Sequence, residues 1–195
     1  PGNTGDTIAA EAVAGGAQLL IAGDLGIGNT TVAAALIAAT YGLPAAAVTG
    51  RGTGIDDAAL AHKTAMVDAA LNRASDRLGD PLDRLAALGS ADMAAAVGFM
   101  LGAARRGVPV LLDGVIAVAE AVVAASIDPG VRPWLQAGHR STEPGQSVAL
   151  QRLGLAPLID LKLRLGEGTG AVVAVPILRA AVAALTDIAQ LADLT

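Results

Sequence analysis

Apolar residues in this chain form long segments at helical spacing that alternate with short continuous runs. The runs at residues 18–22 and 108–112 predict buried strands, because parallel strands covered on both faces show no polar alternation. The longer segments predict helices over 7–13, from Thr30 or Thr31 onward, over 55–76 and 92–106, after Gly114 to about 125, and from 171 to about 191. This order favours an α/β fold, with a parallel sheet flanked by helices.

Glycine and proline mark most of the junctions. Gly15-Gly16 ends the first helix, and Asp80-Pro81 predicts a break after the long helix. Pro176 either kinks the last helix or marks its first turn. Two segments are assigned neither to a helix nor to a strand: a short apolar run at 46–48 and a mixed segment at 134–146.

The composition indicates a single domain of 195 residues, taken as 1–195. The 53% of hydrophobic residues are mostly alanine, with one Trp, one Tyr and one Phe, so Ala-rich helices should pack closely. No apolar run approaches the roughly 20 uninterrupted residues of a membrane span, which predicts a soluble protein without membrane contact. A net charge of −5 and so few aromatics argue against nucleic-acid binding. Without cysteine and with two widely separated histidines, no thiolate or histidine-rich metal site is expected, and the cytoplasm is the expected compartment.

The glycine-rich segment 23–31 (GDLGIGNTT) lies between a predicted strand and a predicted helix. Backbone N–H groups and the helix dipole would meet there, which suits an anion. Asn29 stands where a nucleoside triphosphatase needs lysine, so a monophosphate fits better than a triphosphate. The alternative is a tight turn whose glycines serve only the backbone geometry.

Two further glycine loops, 50–54 and 166–170, precede helices in the same way. In a parallel sheet such loops gather at the carboxyl ends of the strands, where ligands bind. Glu167, between two glycines, is a candidate general base, although a solvated loop glutamate has the same spacing. Lys63 is either a phosphate ligand or a solvated helix residue. His62 and His139 are weaker candidates, and no nucleophile elbow is present.

Six ordered blocks resemble one known family. They are GDLGIGNTT (23–31), VTGRGTG (48–54), AHK (61–63), GFMLGAARRGVPVLLDG (98–114), GHRSTEPG (138–145) and LRLGEGTGA (163–171). The chain is similar over nearly its whole length to the nicotinate mononucleotide:5,6-dimethylbenzimidazole phosphoribosyltransferases. The resemblance implies a Rossmann-like parallel sheet, a homodimer, and transfer of phosphoribose from nicotinate mononucleotide to dimethylbenzimidazole with inversion. It implies no metal or redox cofactor.

The resemblance also assigns roles to particular residues. Glu167 resembles the base that takes the benzimidazole N–H proton. The implied contacts to the nucleotide are Asp24, Gly26, Ile27, Gly28, Asn29, Thr30, Gly52, Lys63, Ser141, Leu165 and Gly166. The chain departs from the family at Asp24 and Leu25, where Glu and Met are usual, so the first carboxylate is one methylene shorter.

Family members are longer at the N-terminus, and the chain opens at Pro1 without a methionine. We therefore expect residues 1–195 to be the C-terminal part of a longer protein whose remainder lines much of the aromatic-base pocket. Alone, this part should fold and bind phosphate with little turnover. Two alternatives stay open, a non-catalytic module that binds a phosphorylated metabolite, and a P-loop hydrolase, against which Asn29 argues.

Overall fold

A computed structural model of the chain describes residues 2–189. Its α-helices are α1 Gly2–Ala14, α2 Asn29–Tyr41, α3 Ala45–Val48, α4 Asp57–Arg73, α5 Pro81–Leu88, α6 Ala91–Arg105, α7 Val115–Ile127, α8 Pro144–Leu153 and α9 Thr169–Asp187. Its strands are β1 Leu20–Ile21, β2 Val110–Leu112 and β3 Leu135–Ala137. Short 3₁₀ helices occupy Ser75–Arg77 and Pro129–Trp134.

The three strands form one parallel sheet in the order β1-β2-β3. Leu20 pairs with Val110, and Leu111 pairs with Gln136. Helices fill the crossovers between the strands, as parallel neighbours require. The predicted α/β class is therefore confirmed, although the sheet is much smaller than the helical layer. β3 lies in the segment left unassigned, because three residues are too few for a clear pattern.

The core lies around the middle strand. All three residues of β2 are fully buried, and α7 packs beside them with ten buried residues. Alanine in α2 and α7 lets these helices approach closely, as the composition predicts. On the other face of the sheet, a smaller cluster joins Leu111 to Ala171 and Ala174 of α9. Helices therefore cover both faces of the sheet, as in a layered α/β fold.

Two helices were not assigned from the sequence. The run 46–48 is helical, since it belongs to α3, whose three alanines favour a helical turn. The break at Asp80-Pro81 is the start of α5. The Asp80 side chain accepts hydrogen bonds from Leu82 N and Asp83 N at 2.8 and 3.0 Å, and Pro81 takes the first helical position.

The last helix, α9, begins at Thr169, so Pro176 lies inside it and does not mark its first turn. The predicted end near residue 191 falls outside the described residues. Within residues 2–189, α9 is by length and composition apolar enough to cross a membrane. Pro176 and Arg179 interrupt its apolar sequence, so α9 is not an uninterrupted apolar run of roughly 20 residues. The start of α9 packs on the sheet through Gly170, Ala171 and Ala174, as the helix of a folded domain does.

Candidate active site

A cavity of about 520 Å³ opens at the carboxyl ends of all three strands. Ala22 and Asp24 follow β1, Asp113 follows β2, and His139 follows β3, and all four line the cavity. Ligands of parallel α/β proteins bind at this edge because the connecting loops and helix N-termini meet there. The topology therefore places the cavity where a ligand is expected.

The first and third glycine loops are in direct contact. Gly23 packs against the backbone of Glu167 and Gly168, so closely that a β-carbon at position 23 would lie 3.0 Å from the Glu167 carbonyl oxygen. Only the first loop directly follows a strand. Loop 50–54 follows α3, and loop 166–170 follows an irregular segment. All three loops still reach the cavity.

Two helix N-termini present backbone donors to the cavity. Gly28 is the N-cap residue of α2, and Gly114 is the N-cap residue of α7. Neither N-terminus is capped by a hydrogen bond from its N-cap side chain. The first turns of both helices, residues 29–31 and 115–117, line the cavity. N–H groups in a first turn have no partner within the helix, and the dipole makes that end electropositive. The arrangement suits an anion such as a phosphate.

The third loop is held in place by Asp113 at the end of β2. Its carboxylate accepts hydrogen bonds from Gly168 N at 3.1 Å and Ala171 N at 2.9 Å, and it lies 3.4 Å from His139 Nε2. Burial raises the pKa of Asp113, but His139 and the two backbone donors outweigh it, so the pKa lies below its usual value. Asp113 is therefore an ionised cap for α9.

A buried glutamine links the ends of β2 and β3. Gln146 Nε2 donates to the carbonyl oxygens of Asp113 at 3.1 Å and His139 at 2.9 Å. Its Oε1 accepts a hydrogen bond from Ser141 N at 2.5 Å. Three bonds from one side chain with no exposed surface fix the strand ends and the Ser141 loop relative to each other.

Lys63 joins the first two glycine loops. Its Nζ donates to Thr30 Oγ1 at 2.9 Å and to the Gly50 carbonyl oxygen at 2.8 Å. Burial lowers the pKa of Lys63, and the nearby Glu143 carboxylate opposes that shift. Glu143 is itself buried, and its Oε1 accepts a hydrogen bond from Gly52 N at 2.7 Å. Lys63 is thus a half-buried residue at the cavity and not a solvated helix residue.

Acidic groups lie at and beneath the first loop. Asp24 Oδ1 accepts a hydrogen bond from Asn29 Nδ2 at 2.9 Å, while its buried Oδ2 has no partner among the described residues. Glu120, one helical turn beyond the first turn of α7, is fully buried. Burial above all, with the charges of Asp24 and Asp92, raises the pKa of Glu120 well above its usual value. Glu120 therefore keeps its proton to a higher pH than an exposed glutamate does.

Glu167 lies at the mouth of the cavity in an uncommon backbone conformation. It has φ 61°, between Gly166 at 82° and Gly168 at 84°. Such a conformation costs a non-glycine residue about 1–3 kcal/mol and is concentrated at functional sites. The exposed Glu167 side chain makes no hydrogen bond or ion pair within the described part of the chain. Ile27 and Leu165, both exposed, frame the same opening.

The structure brings the predicted site residues together. Every one of them lines the cavity: Asp24, Gly26, Ile27, Gly28, Asn29, Thr30, Gly52, Lys63, Ser141, Leu165, Gly166 and Glu167. Their individual roles stay predictions. His62, by contrast, is exposed on α4 away from the cavity. Reasoning from the sequence missed Asp113, Glu143 and Gln146, and underrated His139. The position of Asp113 directly after the clearest strand was the one available signal.

Comparison with known proteins agrees with this geometry. Residues 3–194 match the phosphoribosyltransferase family, and the chain belongs to that family. It is 55% identical over 189 residues to the nicotinate-nucleotide–dimethylbenzimidazole phosphoribosyltransferase of Mycobacterium ulcerans, covering 97% of this chain and 53% of the relative. The enzyme of the same name from Mycobacterium tuberculosis is 56% identical over 189 residues, covering 97% and 52%.

The fold is shared with a solved relative. The crystal structure of CobT from Thermus thermophilus superposes with a TM-score of 0.88 at 49% identity, over 92% of this chain and 54% of that one. The chain thus spans about half the length of the relatives that it matches.

Proposed function

We propose that the protein containing this chain transfers the phosphoribosyl group of nicotinate mononucleotide to 5,6-dimethylbenzimidazole. The products are nicotinate and α-ribazole 5′-phosphate, the nucleotide of the lower loop of cobalamin. The observation that carries the proposal is the shared cavity. Glu167, an accessible carboxylate in a strained glycine loop, lines the same cavity as the uncapped start of α2 and Lys63.

Each part of this cavity suits a different part of the reaction. The start of α2 holds the phosphate through backbone donors. Ile27 and Leu165 offer apolar surface to an aromatic ring at the opening, where Glu167 lies. Glu167 accepts the N–H proton of the benzimidazole as the other ring nitrogen attacks the anomeric carbon. Nicotinate leaves without acid assistance, because its ring is already cationic while it is bonded to the ribose.

The substitution Glu167→Gln in the natural full-length protein tests this assignment. The amide keeps the shape of the side chain but cannot accept the proton, so turnover should fall by about 10²- to 10⁴-fold. Affinity for nicotinate mononucleotide should change little, because other groups hold the phosphate. A fall of less than about fivefold would show that Glu167 is not the base. A parallel loss of nucleotide affinity would make it a binding residue.

Three further expectations belong to the same proposal. The protein acts as a homodimer in the cytoplasm, which sedimentation and cell fractionation test. Residues 1–195 alone bind the phosphate end and have little activity, since other segments of the protein supply much of the aromatic-base pocket. Robust turnover by this chain alone would contradict that last expectation.

A further inference from the structure

One oxygen of a buried carboxylate at the Lys63 end of the cavity has no hydrogen-bond partner among the described residues. Glu143 lines the cavity, and its Oε1 is held by Gly52 N at 2.7 Å. No hydrogen bond to its Oε2 is formed within residues 2–189. Glu143 is only 6% exposed and lines the cavity, so a ligand bound there is placed to supply the donor that this oxygen lacks.

The carboxylate is placed there by several independent contacts. Glu143 stands at the N-cap of α8, yet its side chain makes no cap bond and turns to loop 50–54 instead. Its backbone N–H donates to Ser141 Oγ at 3.3 Å. Gly50 packs against both carboxylate oxygens, and any β-carbon at position 50 would collide with them. The second glycine loop therefore makes room for the Glu143 side chain.

The chemistry of this end suits hydroxyl groups. An ionised carboxylate only accepts hydrogen bonds, and a buried one repels a phosphate dianion. Lys63 Nζ donates beside it, and Thr30 Oγ1 both donates and accepts. Neighbouring hydroxyls match this set, since each hydroxyl gives one hydrogen bond and accepts others.

We propose that Glu143, next to Lys63, binds the 2- and 3-hydroxyls of the ribose and makes the cavity selective for ribose over 2-deoxyribose. The inference rests on the proposed function only in taking a ribose 5-phosphate group as the ligand. The phosphate then lies toward the starts of α2 and α7, and the anomeric carbon toward Glu167.

Binding of two sugar phosphates tests the inference without any transfer chemistry. The probes are methyl β-D-ribofuranoside 5-phosphate and its 2-deoxy counterpart, titrated calorimetrically into the natural full-length protein. A hydrogen bond to a charged group contributes about 1.5–3 kcal/mol, so the wild type should prefer the ribose probe by about 10- to 100-fold. Glu143→Ala should reduce this preference to about twofold or less.

Matched variants separate recognition from folding. Glu143→Gln keeps an oxygen for Gly52 N and should retain the fold with an intermediate preference. Glu11→Ala removes a carboxylate from the exposed side of α1 and should leave the preference unchanged. The inference is overturned if the wild type binds neither probe, binds both equally, or loses affinity for both equally in Glu143→Ala.

The outcomes also separate this inference from the proposed function. If the protein prefers the ribose probe through Glu143 but has no transferase activity, the proposed binding of the ribose hydroxyls by Glu143 is supported. The proposed reaction is then contradicted. If the protein transfers phosphoribose from nicotinate mononucleotide but binds this nucleotide and its 2′-deoxy analogue with equal affinity, the proposed reaction is supported. The proposed binding of the ribose hydroxyls by Glu143 is then overturned.

Discussion

Asp113 is the residue on which the shape of the Glu167 loop depends. Its two carboxylate oxygens accept hydrogen bonds from Gly168 N and Ala171 N across more than fifty residues of sequence. Asp113→Asn is nearly identical in shape, but it replaces one acceptor oxygen with an NH₂ group. One backbone N–H then faces another donor in a buried position, and the remaining hydrogen bond loses its charge.

The size of the effect follows from those two bonds. A hydrogen bond to a charged group contributes about 1.5–3 kcal/mol, and an unsatisfied buried donor costs about 1–3 kcal/mol. We therefore expect Asp113→Asn to lower the free energy of unfolding by about 2–4 kcal/mol. For a chain of this length each kcal/mol shifts Tm by about 2–4 °C, so Tm should fall by roughly 4–16 °C.

The same substitution should also reduce activity, because the Glu167 backbone loses its anchor. In the natural full-length protein, turnover should fall by at least about tenfold, as expected when a catalytic group is misplaced by about 1 Å. Urea and thermal unfolding measure the first effect, and a transfer assay with saturating substrates measures the second. Asp68→Asn, on the exposed side of α4, is the control. If both variants unfold alike and retain full turnover, Asp113 does not hold the loop.

Two shorter predictions concern the groups around it. Glu120 keeps a proton in the folded state that the unfolded chain releases above its usual pKa of 4.5. Its contribution is fully present below pH 4.5 and is lost, by at most about 1.4 kcal/mol per pH unit, as the pH rises toward the folded-state pKa, so Glu120→Gln should flatten the fall in urea stability above pH 5. An unchanged slope would contradict this. Lys63 Nζ also bonds Thr30 in the first turn of α2, toward which the phosphate is proposed to lie, so Lys63→Met should weaken calorimetric binding of inorganic phosphate by about tenfold. The exposed Lys162→Met should not, and equal effects would refute a cavity role for Lys63.

The sequence predicts best those parts of the fold that have a local cause. The β2 run, the helical segments and the start of α2 follow from spacing and from Gly28, which adopts φ 81°. The three glycine loops reach one cavity as predicted. The short apolar run before the second loop could not be assigned from the sequence, because it is alanine-rich and alanine favours a helix, while a short buried run is also typical of a strand.

Contacts between distant segments were not predictable in the same way. Glu143 reaches Gly52 across 91 residues, and Asp113 reaches Ala171 across 58. No periodicity or local motif records such a pairing, because it depends on which strand ends are neighbours in the sheet. Once the order β1-β2-β3 is known, the loops after β2 and β3 must lie side by side, and Asp113 and His139 meet as a consequence.

The charges around the cavity separate the two leading functions that the sequence left open. A module that only holds a phosphorylated metabolite needs donors and cations, which the start of α2 and Lys63 supply. Carboxylates would weaken such a site through repulsion. Yet Asp24, Glu143 and Glu167 all line the cavity, and each has at least one carboxylate oxygen without a hydrogen bond from the described residues. Nicotinate mononucleotide brings a cationic pyridinium ring and two ribose hydroxyls to the cavity. The benzimidazole that reacts with it must lose a proton. Together these two substrates supply partners for the carboxylate oxygens. This balance of charge favours the transferase over the binding module.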